Sequence, residues 1–207
     1  MKKLLVILLS LFFLSSPAVF ADDISDFKIE GIGIGESLLD YMTEDEILKE
    51  IERTKDYYLH LNEPNKYVEV YLFKDFPTYD VVSVKLQNIA SSKYITNKNE
   101  KYKILSIRGM ILYIEDFDSC IQKRDEVVSN LSKVFSSAIK NKWNNLAPAD
   151  PSGKSIQDGI NFTYDSGDKV TIYCVNFEET FRIKKNWSEG LTVSIKSKEI
   201  ERWLLDY

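Results

Sequence analysis

The spacing of apolar and polar side chains changes several times along the chain, and each change marks an element. Residues 4–14 are apolar apart from Ser10, preceded by Lys2 and Lys3 and followed by Pro17 and Val19-Phe20-Ala21. A basic start, an apolar run of about 11 residues and a small-residue site make a secretion signal, with cleavage expected before Asp22. A bilayer takes about 20 apolar residues, so the run is too short to stay as a span. No cysteine follows the cleavage point to carry a lipid. Residues 1–21 are therefore read as a cleaved signal peptide, and the periplasm of a bacterium (or its medium) as the destination.

A helical period begins after Thr43-Glu44-Asp45-Glu46, which has the form of a capping box with Met42 and Ile47 at the staple positions. Ile47, Leu48, Ile51 and Tyr58 share one face of the predicted helix, which should end before Asn62-Glu63-Pro64-Asn65. The period then shortens to two. Val68, Val70 and Leu72 alternate with Tyr67, Tyr71 and Phe73; Val82, Val84 and Leu86 alternate with Ser83, Lys85 and Gln87. Residues 103–114 form a third strand, in which Gly109 suggests a bulge or bend.

The helical period returns after Ser119-Cys120-Ile121-Gln122, a second possible capping box. Cys120, Val127, Leu131, Val134, Phe135, Ala138 and Ile139 lie in one stripe, and the helix is expected to reach residues 143–145. Residues 147–159 read as a loop. Ile160, Phe162 and Tyr164 share a parity, Asp165-Ser166-Gly167-Asp168 signals a turn, and Val170, Ile172 and Cys174 return on one face with Thr171, Tyr173 and Val175 on the other. Leu191, Val193 and Ile195 give another strand, and a short helix from about Lys198 can bury Ile200, Trp203 and Leu204. The prediction is one α+β unit, residues 22–207, with an antiparallel sheet and helices packed on one face. The repeated element order raises two α-βββ halves in tandem, 22–115 and 116–207.

Composition narrows the class. Of 27 basic side chains, 25 remain against 32 acidic ones once Lys2 and Lys3 leave with the signal, a net charge near −7. Such a surface has little with which to neutralise phosphates, which argues against nucleic acid, and no membrane span is expected after cleavage. Two cysteines in an oxidising compartment suggest a pair. Cys120 falls on the apolar face of its helix and Cys174 on a strand face with Val170 and Ile172, so both sulfurs can enter one layer. A bond closing a loop of about 54 residues is worth roughly 4 kcal/mol in the chain-entropy account.

Candidate chemistry is sparse. Gly31, Gly33 and Gly35 resemble a nucleotide fingerprint, but Glu36 stands where the pattern needs its third glycine; Gly153-Lys154-Ser155 lacks the first glycine of a phosphate loop, since Pro148 occupies that place. The single histidine, His60, has no nucleophile or second ligand in motif spacing. Glu44, Asp45 and Glu46 suit a helix first turn, and the pairs Asp116/Asp118 and Asp165/Asp168 sit where caps and turns want Asp. No catalytic residue, metal ligand or cofactor is assigned. The leading expectation is a non-enzymatic binding or envelope-associated module for an unknown protein or envelope ligand, with Tyr67, Tyr71 and Phe73 as a candidate surface. The alternative is a carboxylate-dependent hydrolase of an envelope polymer, which needs two facing acids about 5 to 9.5 Å apart.

Gly31-Ile32-Gly33-Ile34-Gly35-Glu36-Ser37 followed by Thr43-Glu44-Asp45-Glu46-Ile47 resembles the opening of small exported BamE/SmpA-like and β-lactamase-inhibitor-like domains. The resemblance implies a capped short helix leading into antiparallel strands. The lipid-bearing cysteine of BamE is absent, which departs from an outer-membrane assembly role.

Overall fold

The computed structural model describes residues 24–88, 97 and 100–206. The expected signal peptide lies outside the described residues. A small ribbon of β1 (Lys28–Ile29) and β2 (Ile32–Gly33) precedes α1 (Glu44–Thr54), β3 (Tyr67–Leu72), β4 (Val81–Gln87) and β5 (Ile104–Leu112). Then come α2 (Phe117–Val134), β6 (Ile139–Leu146), β7 (Ile156–Thr163), β8 (Lys169–Asn176), α3 (Glu179–Lys185), β9 (Gly190–Lys196) and α4 (Lys198–Leu204). Seven strands make one antiparallel sheet in the order β3-β4-β5-β9-β8-β7-β6. Two meanders, β3–β5 and β6–β9, thus meet where β5 pairs with β9. The class is α+β, an antiparallel sheet with helices on it.

Register sorts the strand side chains onto two faces. On the first, Val70, Val84, Ile107, Ile195, Val170 and Phe162 follow one another across six strands, and all are buried. Helix α2 lies over the β8 side of this face. Its Cys120 is bonded to Cys174, with the Cα atoms 6.0 Å apart, and its buried Arg124 pairs with Asp158 of β7. The stripe of α2 therefore contains a cation as well as hydrocarbon, because an acid waits for it on the sheet. The ribbon and the turn at Leu38 close the same core from the β5 side through Ile29, Ile32 and Leu38.

The helices are divided among several positions. Helix α4 sits at one end of the second face, where Trp203 meets Tyr67 at 5.1 Å and Tyr58 at 4.7 Å between ring centres. Helix α1 caps the β3 edge: Thr54 Oγ1 donates to the Glu69 carbonyl (2.5 Å) and Tyr71 N–H donates to Glu50 Oε2 (3.4 Å). These bonds occupy polar groups that an edge strand otherwise offers to another chain. The opposite edge, β6, is solvent-exposed at every residue except half-buried Trp143, and carries Lys140 and Lys142.

Several boundaries differ from the sequence reading. The capping box at Thr43 forms, but α1 stops at Thr54; Leu48 is exposed, and Glu50 and Thr54 turn inward in its place because they bond the edge strand. Helix α2 is capped by Asp116, which accepts from Ser119 N–H, rather than by Ser119. It ends at Val134, where Phe135 N–H closes on the Leu131 carbonyl and the Phe135 ring enters the core beside Phe27 and Phe162. Residues 139–146 then pair with β7 at eight positions. Three asparagines there weaken a helix, and the open β7 edge rewards a strand. The second run thus has one strand more than alternation predicts. Gly109 stays in regular register, with the Tyr79 ring stacked where a Cβ would stand, 2.6 Å from its nearest atom; the irregularity falls at Lys85/Leu86 instead. Strand β7 begins inside the expected loop, and α3 was not expected at all.

Candidate functional site

The second face of the sheet is built from three transverse rows, one residue per strand. Glu69, Lys85, Ser106, Lys196 and Lys169 form a charged row. Tyr71, Ser83, Arg108, Ser194, Thr171, Asn161 and Asn141 form a polar row that crosses all seven strands. Val81, Met110, Thr192, Tyr173, Gly159 and Trp143 form the third. Alternation with the apolar first face puts them here, because successive strand residues point to opposite sides. Gly159 is required in its row: the Trp143 ring lies over it, and a Cβ would come within 2.4 Å of that ring.

Helix α4 and the turn around Tyr58 cover the charged row. Glu201 of α4 pairs with Lys196 at 2.6 Å and also with Lys169. Glu69 is almost fully buried and accepts hydrogen bonds from Tyr58 Oη (2.5 Å) and Ser83 Oγ (2.7 Å), with Lys85 Nζ and Arg108 Nη2 each 3.6 Å away. Burial raises its pKa, but Lys85, Arg108 and the two hydroxyl donors outweigh burial and hold the carboxyl down at about 2. Burial and then the Glu69 charge push the Tyr58 hydroxyl in the opposite direction, well above the ordinary phenol. The group is a locked anchor.

Beyond that cover the polar and aromatic rows floor an open groove of about 530 Å³. Tyr57, Tyr58 and Tyr71 form one wall and Phe177 and Trp187 the other, with Arg108, Met110, Tyr173 and Thr192 between. The far wall is rooted in a three-ring cluster: Trp187 stands 5.4 Å from both Phe177 and Phe181. Asn186, in the left-handed conformation at φ 53°, ends α3 and turns the chain into this wall. Trp187 and Tyr57 are 42% and 45% exposed, unusual for large rings that flank a concavity of ligand size. Arg108 lies in the floor. Its Nη2 donates to Tyr71 Oη at 3.2 Å, while its Nε is buried with no hydrogen-bond partner. No Asp or Glu lines the groove among the described residues.

Of the three rings expected to form a surface, the structure brings one to this site. Tyr71 lines the groove. Tyr67 is buried under α4 against Trp203, so it is not surface at all, because the C-terminal helix needs an aromatic seat. Phe73 lies past the end of β3, 74% exposed, near Arg53 rather than in the groove. Arg108, Tyr173, Trp187 and Tyr57 were not singled out by sequence, although the alternation Ser106-Arg108-Met110 and Thr171-Tyr173-Val175 already put two of them on a second face.

The remaining candidates are structural. Glu36 accepts from Gly33 N–H (2.7 Å) and pairs with Lys28, so the glycine-spaced turn holds its own carboxylate. Asp150 does the same for the later loop, accepting from Ser152 N–H (2.9 Å), Ser155 N–H (3.1 Å) and Ser155 Oγ (2.6 Å). Asp168 accepts from Ser166 Oγ and from Lys198 N–H at the start of α4. His60 is exposed beside Tyr58. Among the described residues no group of three or more His, Cys, Asp or Glu is placed to hold a metal, and no helix is long and apolar enough to cross a membrane. Comparison of the chain with protein-family models, curated proteins and solved structures finds no match.

Proposed function

We propose that the protein is a non-enzymatic binding module of the bacterial periplasm or exterior, and that the groove on the second sheet face is where it takes its ligand. The observation that carries this reading is the pair of half-exposed rings, Trp187 and Tyr57, standing over a floor in which Arg108 is the one charged side chain among the described residues. Rings cost free energy in water, and a concave aromatic site recovers it when a ring-bearing or apolar body displaces that water. The disulfide from α2 to β8 fits an oxidising compartment, in line with the export signal read at residues 1–21.

The hydrolase alternative has no support at this groove, whose lining has no carboxylate. A more open cleft of about 750 Å³ beside α4 is lined in part by Glu63, Asp168, Glu199 and Asp206, yet Glu63 pairs with Lys66, Asp206 accepts from Asn62, Asp168 holds the α4 start and Glu199 accepts from Tyr67 Oη.

Titration of isotopically labelled protein with 2-naphthamide and 2-naphthoate, followed by heteronuclear NMR, tests the site. At least one naphthyl probe should give saturable shifts at Tyr173, Thr192, Met110 and the Trp187 indole, sparing α2. Shifts that never saturate, or that spread over the α2 face, would overturn the assignment.

A further inference from the structure

The charge beneath the groove is out of keeping with the rest of the molecule. Over the whole chain acids outnumber bases, 32 to 27. The strand residues of the second face reverse this: Lys85, Arg108, Lys196 and Lys169 stand against Glu69 alone. Adding Glu201, which α4 brings to Lys169 and Lys196, still leaves four cations against two carboxylates. Of the four cations, three are covered or engaged. Lys85 is buried against Glu69 and the Tyr58 ring, and Lys169 and Lys196 share Glu201. Only Arg108 lines the groove.

Arg108 is also held ready. Glu69 sits 3.6 Å from its Nη2, and Tyr71 Oη takes a hydrogen bond from the same nitrogen. Those two contacts fix the plane of the guanidinium through Nη2, while Nε is buried without a hydrogen-bond partner. Glu69 does not need Arg108 for its own neutralisation, since Lys85 lies at the same distance. The surplus positive charge therefore belongs to the groove, where a guanidinium in a partly water-excluded site favours an anion that accepts a charge-assisted N–H bond. Tyr173, Trp187 and Tyr57 around it favour a flat apolar body.

Resting on the groove reading above, we propose that the ligand is a small ring-bearing carboxylic acid, bound as its anion, with Arg108 as the carboxylate-recognising residue. Arg108 is a binding group, and Glu69 is the residue that positions it.

The test is a matched pair of probes on the intact mature chain: 2-naphthoate, which is charged, and 2-naphthamide, its neutral isostere. The wild type should bind 2-naphthoate at least about tenfold more tightly by calorimetry, with the advantage reduced by salt, as expected for a charge-assisted contact. Arg108→Gln, which leaves the Glu69–Lys85 pair in place, should bring the two dissociation constants together by weakening 2-naphthoate alone. Arg108→Lys should keep part of the preference. Equal affinities in the wild type, or a preference for 2-naphthoate that survives Arg108→Gln, overturns the carboxylate assignment while leaving the groove as a binding site. Absence of groove shifts with either probe overturns both. A thermal melt of each variant separates lost recognition from lost fold: an Arg108→Gln protein that melts with the wild type yet shows no preference supports the proposal. A variant that unfolds shifts the decision to Arg108→Lys and to the salt dependence of the wild type, where a salt-insensitive preference counts against it.

Discussion

The two faces of the sheet are made by the same strands and do opposite work. The first carries hydrocarbon across six strands and is sealed by a long helix bonded to it through Cys120–Cys174. The second carries ions and hydroxyls in aligned rows, is covered only at one end, and leaves a ring-walled groove at the other. Apolar burial is non-directional, so the first face can stabilise the fold without specifying a partner. Fixed charges and unpaired donors are directional and costly to bury, so the second face specifies more than it stabilises. Function is therefore sought on the face that contributes less to holding the chain together.

The contrast is broken most severely by opening the first face. Loss of the disulfide, by reduction or by Cys120→Ser with Cys174→Ser, frees a segment of 54 residues and should lower unfolding stability by about 4 kcal/mol. Urea unfolding with and without reductant measures it. Affinity for a groove probe should hardly change under conditions where the reduced protein stays folded, since neither cysteine reaches the second face.

The next effect belongs to the second face. Glu69→Gln leaves buried Lys85 and half-buried Arg108 beside a neutral amide, an uncompensated arrangement that should cost about 3 kcal/mol at neutral pH. Its pH dependence fixes the cause. The Glu69 carboxyl is depressed from 4.5 to about 2, so its stabilising contribution is complete above 4.5 and is lost as pH falls through 2. The gap between wild type and Glu69→Gln should accordingly narrow from pH 5 to pH 2 in acid unfolding curves. A gap that stays constant over that window would mean that packing, and not charge, holds the second face.

A smaller effect concerns the β3 edge. Thr54→Val keeps the volume of the side chain but removes the hydroxyl that donates to the Glu69 carbonyl. A loss of about 1 kcal/mol is expected, with faster amide exchange confined to β3 if α1 caps the edge as described. Uniform exchange across the sheet would assign the loss to the core.

The first face was largely legible in the sequence because its signal is local. Val68, Val70 and Leu72, or Val170, Ile172 and Cys174, announce their side of the sheet by parity alone, and the same parity paired the cysteines. The second face was not, for two reasons. Tyr67, Tyr71 and Phe73 have one parity, yet α4, more than 120 residues later, hides the first, the groove takes the second and solvent the third. The groove also draws Arg108, Tyr173 and Trp187 from three separate stretches, and only strand order shows that they meet. Strand β6 was missed because Ala138 and Ile139 continue the helical stripe of α2 in sequence, whereas Phe135 leaves it to close the core. Helix propensity could not outweigh pairing with an open strand.

The smallest expected effect discriminates best. Trp187 is 42% exposed, and the rings behind it, Phe177 and Phe181, remain in contact with each other at 5.9 Å between centres. Trp187→Ala should therefore move stability by no more than about 0.5 kcal/mol, the range of an ordinary surface substitution. If the ring is a wall of the ligand site, the same change should weaken both naphthyl probes by about tenfold, since a stacked ring contributes on the order of 1 kcal/mol or more. It should do so equally for the charged and the neutral probe, because Trp187 carries no charge. Arg108→Gln alters their ratio and Trp187→Ala alters their common strength, so the two variants divide recognition of the acid from recognition of the ring. A stability loss of about 2 kcal/mol with unchanged probe affinity would make Trp187 a core residue packed against α3 and remove the far wall from the site.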